Sequence, residues 1–588
     1  MVPFHQLQQP LILCVFFIII AWGLRHVYLR ALPRPIPGIP HNPTARTKLF
    51  GDLPDMQRSG RQGMTPTTWF ANLSQKYNSP LVQIFIAPFF RPVLILSDFQ
   101  ETYDIITKKD RHFDRSRTTR EAFAGIMPNH HMSMLKSDPR YKGNLQLANG
   151  VMAPGFLNTV AAPAVYENIG KLVRLWKLKA HISNGRPFDA KRDVIISSFE
   201  SIKNVAVGLG NKPTMIDSYN ASLQDSLLPS HASGDSTDAA TATLEDSPFP
   251  FPQCESSHEF DCIHAAEGHI AASIATLSPR TYWRLYNLTP GMREVHRVKN
   301  EGFSAYISEA ATRLETSGEA KVTSAVDYML RREKSVAQKD GREARLDSLQ
   351  IRDELYGLVS AGFSTVAATF SWTLKRLSTY QEVQIQLRES LCAAHSAAVD
   401  GLRQPSIAEI VNTQVHYLDA VIEEVLRLSP PFCLTSRQAI ADTTILGQHV
   451  PKGTLIFINL EGPSFTSPKI QGKELRDVEA GRVRPYWDDS DIKSFIPERW
   501  MKTGESGSEP VFDNQAGPYL SFGGGARACY GKRVAYLQLK IMITLIVWNF
   551  RLKAVQGSLD TDKSVEHLSK EPLEHFVRLE EIVLNSQV

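Results

Sequence analysis

One stretch limits what this chain can become more than any other: FGGGARACYG, Phe522 to Gly531. It crowds three glycines and an arginine ahead of a single cysteine. Glycine runs serve as phosphate cradles, as flexible linkers, or where a backbone must approach something bulky. A phosphate loop of the Walker type spaces its last glycines by four residues and continues Lys-Ser or Lys-Thr, so that amides point at the anion. Here five residues separate Gly525 from Gly531, and Lys532 is followed by Arg533. The phosphate reading fails, and Cys529 becomes the point of interest.

A lone cysteine among glycines suits a thiolate ligand that must lie flat against a large planar cofactor. Glycine permits the tight turn and lets backbone N–H groups face the sulfur. Phe522 would shield that sulfur from water, and Arg527 would pair with an anionic cofactor edge. Haem iron held by a cysteine thiolate is the known chemistry of this type. For an isolated cysteine the alternative is a buried free thiol beside a glycine turn. The other cysteines do not help: the six in the chain form no CxxC pair and no zinc spacing, which points to reduced, cytosol-facing thiols.

Composition excludes some classes. A net charge of +4 on 588 residues leaves no footprint of nucleic-acid binding. The 43% hydrophobic content is ordinary for a globular protein with a large core. The N-terminus is more specific. Leu11 to Leu24, LILCVFFIIIAWGL, is uninterruptedly apolar, with no Lys or Arg before it and Arg25, Arg30 and Arg34 after it. A cleaved signal peptide carries its charge ahead of the apolar run. Charge on the far side predicts an uncleaved membrane anchor over residues 1–31, with the rest of the chain in the cytoplasm. LPRPIPGIP then reads as the core of a stiff, proline-rich hinge, residues 32–49.

Within residues 50–588, LVQIFIAPFFRPVLILSD, Leu81 to Asp98, predicts two strands joined through a turn. Residues from about 216 to 260 hold a low-complexity insertion rich in Ser, Asp, Ala, Thr and Pro, read as solvated or disordered, with PFPFP packing as a turn. From about Ser348 onward helical periodicity is strong. Three further stretches fit one picture with the cysteine. In EVLR, Glu424 and Arg427 share a helix face. FIPERW offers Arg499 as a second cation for Glu424. In SAGFSTVAATFSW, Ser360 to Trp372, Ala361 and Gly362 either let a ligand approach the helix backbone or serve close helix packing. Thr365 is expected to bond back to the carbonyl four residues earlier and distort the helix.

Together these stretches resemble the cytochrome P450 superfamily of haem-thiolate monooxygenases. The family's haem loop, Phe-x-x-Gly-x-Arg-x-Cys-x-Gly, is matched at every fixed position by Phe522, Gly525, Arg527, Cys529 and Gly531, and the other motifs follow in the family's order. The resemblance implies a mostly helical fold with a small β region and a single haem domain behind an N-terminal transmembrane helix. It implies haem b, with Cys529 as the iron's axial ligand, a structural triad of Glu424, Arg427 and Arg499, and Arg437 on a haem propionate. It also implies NADPH-cytochrome P450 reductase as electron donor, since no dinucleotide-binding glycine motif is evident, and a lipophilic substrate. The chain looks most like membrane-anchored fungal members of natural-product pathways, placed in the endoplasmic reticulum membrane with the haem domain facing the cytosol. Pocket segments are expected at residues 116–134, in the helix before Ser364 and at 431–436.

Two positions depart from the family. The acid that usually precedes the helix threonine, where it helps deliver protons to oxygen, is Ser364 here; a serine holds a water but offers no charge. Ser364 and Thr365 are therefore the candidate proton-delivery pair. Asn149 and Gly150 stand where an early-helix arginine should grip a propionate, with Arg140 and Lys142 about two turns away. The missing acid keeps open a haem-thiolate isomerase or dehydratase that needs no NADPH, and a non-catalytic membrane haem binder is the third reading.

Overall fold

Serine and threonine side chains start the helices that matter most in this protein. Ser348 accepts a bond from the Ile351 amide to open Leu349–Thr379, Ser257 from Phe260 to open His258–Ile274, and Thr65 from Thr68 to open Pro66–Lys76. Each satisfies one amide that the first helical turn leaves without an intrahelical partner. The computed structural model describes residues 5–210, 212–226, 246–276, 278–316, 322–470, 487–503 and 509–583, most of them helical. They divide into two compact units: Met1–Ser116 with Leu434–Val483, and Arg117–Cys433 with Arg484–Val588. The chain leaves the first unit after Ser116, returns at Leu434, and leaves again.

The first unit is built on a five-stranded sheet in the order Leu81–Ile84, Val93–Leu96, Leu455–Asn459, Leu434–Ala439, Phe113–Asp114. The two strands expected from LVQIFIAPFFRPVLILSD are its antiparallel hairpin, with Leu81 opposite Leu96; Val93 pairs in parallel with Leu455. Trp69 and Phe70, from the helix Pro66–Lys76, bury against Val82, Ile84, Val93 and Ile95. The proline-rich hinge is docked along the sheet edge. Gln83, only 2% exposed, bonds through its side chain to the backbone of Ile36 and Ile39, and both isoleucines are buried.

Ahead of the hinge runs the helix His5–Ala31, on which Phe16, Phe17, Ile18, Ile19, Trp22 and Leu24 are exposed. Among the described residues no helix is long and apolar enough to cross a membrane. The expected anchor covers residues 1–31, and the side chains up to residue 14 lie outside the described residues.

In the second unit the helix Leu349–Thr379 is buried over most of its surface and packs lengthwise on Lys191–Val207. The helix Ala162–Ser183 packs on both Lys191–Val207 and Lys532–Asn549. A small sheet of Phe550–Lys553, Phe576–Glu581 and Phe188–Asp189 closes the unit. The expected solvated insertion is ordered at both ends. Met215–Ser226 is helical with Ile216, Tyr219 and Leu223 buried, and His258 already begins the next helix. Phe251 packs edge-to-face on Phe188, and Phe249 lies under the Arg186 guanidinium, so PFPFP packs as expected. These aromatic anchors bury apolar area that a composition average over the segment conceals. Residues 227–245 lie outside the described residues.

Candidate active site

The cysteine loop folds back on itself through one backbone bond, from the Cys529 N–H to the Phe522 carbonyl at 2.8 Å. Gly523 and Gly525 adopt φ of 63° and 62°, a conformation that side chains resist. Gly531 differs: a Cβ there would meet Val534 and the Cys529 sulfur at ordinary contact distances of 3.8 and 4.0 Å. The Cys529 side chain is open to space. The surrounding protein pushes its thiol pKa up, while the Gly531 and Lys532 N–H groups and the Lys532 charge pull toward the thiolate. Phe522 lies over Tyr536 at 5.2 Å, and Arg527 is held by the Met134 carbonyl at 2.9 Å and by the face of Tyr141. Tyr141 in turn donates to the Ala526 carbonyl. Sequence reading missed Tyr141; its only signal was an aromatic residue between Arg140 and Lys142.

The expected triad forms. Arg427 grips Glu424 with two bonds of 2.7 Å, and Arg499 Nε reaches the same carboxylate at 2.9 Å. The Ile496 amide and the Trp500 indole also donate to Glu424, which is wholly buried. These donors satisfy both oxygens of the buried carboxylate. Ser521 ties the cysteine loop to the same helix, His416–Leu428, by donating to the Leu426 carbonyl at 2.7 Å. Tyr536, from the helix that follows the cysteine, bonds Glu423. The triad helix therefore holds both flanks of the loop.

The threonine helix carries one open stripe. Between Asp353 and Lys375 only Leu358, Ala361, Gly362 and Thr365 are not buried. Their spacing of three and four places them on one face. Thr365 Oγ1 donates to the Ala361 carbonyl at 3.0 Å, the bond expected, but the α-helix runs unbroken from Leu349 to Thr379. The hydroxyl is accommodated without the expected distortion. Gly362 is explained by packing, since a Cβ there would come within 2.5 Å of Ile202. Ala361, which is exposed, is the small residue that leaves room.

Ser364 points away from that stripe. It is buried, and its hydroxyl donates at 3.1 Å to Glu267 Oε1 on His258–Ile274, with Ser360 at 3.4 Å from the same oxygen. Sequence reading missed Glu267, which sits among helical residues with no motif around it.

Arg437 lies in the first unit, on the strand Leu434–Ala439, where its guanidinium bonds Thr435 Oγ1 and the Ser436 carbonyl. Gly150 is demanded by the ring of Tyr328, which a Cβ would strike, while Arg140 pairs with Asp138 at the surface. Glu354 gathers the His131 amide and ring, His130 and Asn144 at 2.7–3.3 Å.

The donor set fits haem: an open thiol with backbone N–H groups turned to its sulfur, an arginine fixed beside the loop, and a helix face kept open by alanine. A family model described as cytochrome P450 matches residues 260–463 and 483–578. The chain is similar to "Cytochrome P450 monooxygenase TRI13" of Fusarium sporotrichioides, 32% identical over 95% of this chain and 98% of that one. It is similar to "Cytochrome P450 monooxygenase GME11363" of Pestalotiopsis microspora, 32% identical over 94% and 95% of the two chains. A solved cytochrome P450 (CYP102L1) shares the fold, with a TM-score of 0.65 at 18% identity over 94% of this chain and all of that one.

Proposed function

The chain belongs to the cytochrome P450 family of monooxygenases, and on that premise we propose that it oxidises a lipophilic small molecule in fungal secondary metabolism. The cofactor would be haem b, held by Cys529, with Arg527 beside the loop as the cation for its anionic edge. NADPH-cytochrome P450 reductase supplies the electrons. The balance is a substrate C–H, O2, NADPH and a proton giving the alcohol, water and NADP+. When bound, the haem contributes thiolate-backed iron chemistry that activates dioxygen. The residues around it bind, orient and move protons. Gly531 and Lys532 N–H groups stabilise the charge on the Cys529 sulfur, and the triad keeps the loop in place. The Thr365 hydroxyl, on the open stripe, holds and passes a proton. Leu358 and Ala361 on that face offer no charge, which suits a hydrophobic substrate.

The exposed apolar side chains from Val15 to Leu24, followed by Arg25, Arg30 and Arg34, support a single-pass anchor in the endoplasmic reticulum membrane, with the haem domain toward the cytosol. The isomerase reading was favoured by the missing acid at 364. A carboxyl bonded to Ser364 supports the monooxygenase reading instead.

The observation that carries this reading is the open Cys529 thiol in a loop matched at every fixed position. Microsomes holding the chain and a reductase, fed candidate lipophiles, should form oxygenated product only with NADPH. In the same system Thr365→Ala should keep haem yet release more hydrogen peroxide per NADPH. Turnover without NADPH would return the isomerase reading.

A further inference from the structure

The carboxyl missing from position 364 is present in space. Glu267 stands on His258–Ile274, 97 residues away in sequence, and its Oε1 accepts from both Ser364 and Ser360. Phe260, His264 and Glu267 follow one another at helical spacing and make one face. That face meets the threonine helix: Phe260 packs on Phe363, His264 lies near the same ring, and Glu267 lies against the serines. Glu267 is 3% exposed, whereas the side chain of His264, 3.7 Å from Glu267 Oε2, is 54% exposed. His264, Glu267 and Ser364 thus run from solvent to the buried face of the threonine helix, ending at the residue that precedes Thr365 in sequence.

We propose that Glu267 is the positioning residue for proton delivery at the threonine helix, acting through Ser364, with His264 between it and solvent. This rests on the monooxygenase reading above. A serine hydroxyl accepts one hydrogen bond while donating another, so Ser364 passes a proton without needing a charge of its own. Burial pushes the Glu267 carboxyl above the usual carboxylate range, against the pull of His264, Ser364 and Ser360, which eases its protonation. The same geometry explains the serine. An acid at 364 would set two carboxylates against each other in a buried site, where both cannot ionise.

The test is a set of full-length holoproteins reconstituted with reductase. Glu267→Gln, which keeps size and shape, should retain the thiolate carbon-monoxide spectrum. Its product per NADPH should fall about tenfold as peroxide rises, less than the ~10²–10⁴ of a donor acting directly because water substitutes in part. Ser364→Asp alone should also be impaired, because it opposes two carboxyls. Combined with Glu267→Gln it should restore coupling, which a purely structural tie between helices would not do. Independently of turnover, infrared difference spectra should show a Glu267 carboxyl band, identified as what Glu267→Gln removes, that shifts in Ser364→Ala. Unchanged coupling in Glu267→Gln, or a double variant no better than Glu267→Gln, overturns the relay. If the wild type consumes no NADPH, the functional reading fails first. The infrared shift then decides alone: its presence keeps Glu267 as the carboxyl serving Ser364, and its absence overturns the proposal.

Discussion

At the scale of single residues, the cysteine loop shows which letters of a motif are chemistry and which are geometry. Gly523 and Gly525 are needed for their positive φ, and Cys529 for its sulfur, whereas Gly531 has room for a methyl group. The reduced, carbon-monoxide-bound protein should therefore show the Soret band of thiolate ligation, and Cys529→Ala should abolish it. An unchanged spectrum in that variant would remove the central assignment. Ala361 and Gly362 teach the complementary lesson. As adjacent small residues they read alike in the sequence, yet one faces open space and the other accommodates Ile202. Which side of a helix meets a neighbour is decided by the neighbour.

At the scale of elements, the helix His416–Leu428 organises the loop through Glu424, Arg427 and the Leu426 carbonyl. Glu424→Ala or Arg427→Ala should leave little folded holoprotein, at a cost of about 3–5 kcal/mol, because the charge left behind is buried and has lost its bidentate partner. Normal haem content and melting in both variants would count against it. The threonine helix is pinned at its N-terminal half by Glu354. Burial raises the pKa of this carboxyl, but His130, His131 and Asn144 outweigh it and hold it below the usual carboxylate range. A lowered folded-state pKa gives stability that is present above the ordinary value of 4.5 and is lost as pH falls through the lowered one. Glu354→Gln should thus cost about 1.5–3 kcal/mol near neutrality, and its melting temperature should converge on that of the wild type as pH drops below about 4.5. A gap that persists into acid would mean that packing, not charge, is what Glu354 supplies.

At the scale of the whole molecule, the N-terminal helix is the segment that can be removed. Ala31 is buried and its carbonyl accepts from the Phe89 amide, whereas the apolar side chains before it are exposed. Deleting residues 1–30 should shift much of the protein to the soluble fraction with haem content intact. Protection of the intact globule from protease inside sealed microsomes would reverse the proposed orientation. The sequence by itself determined the turn of the cysteine loop, the Glu424–Arg427 pair, the hairpin of the first unit and the Thr365 back-bond. Each depends on residues within a few positions of one another, where backbone geometry leaves few outcomes. The tertiary structure alone decided the rest. It divided the chain into two units, docked the hinge on Gln83, ordered the ends of the insertion around Phe249 and Phe251, and gave Gly362 to Ile202. It also brought Glu267 to Ser364 and Tyr141 beneath Arg527. These are contacts between segments far apart in the chain. Nothing local distinguishes one buried glutamate or tyrosine from another until folding selects the surface against which each is pressed.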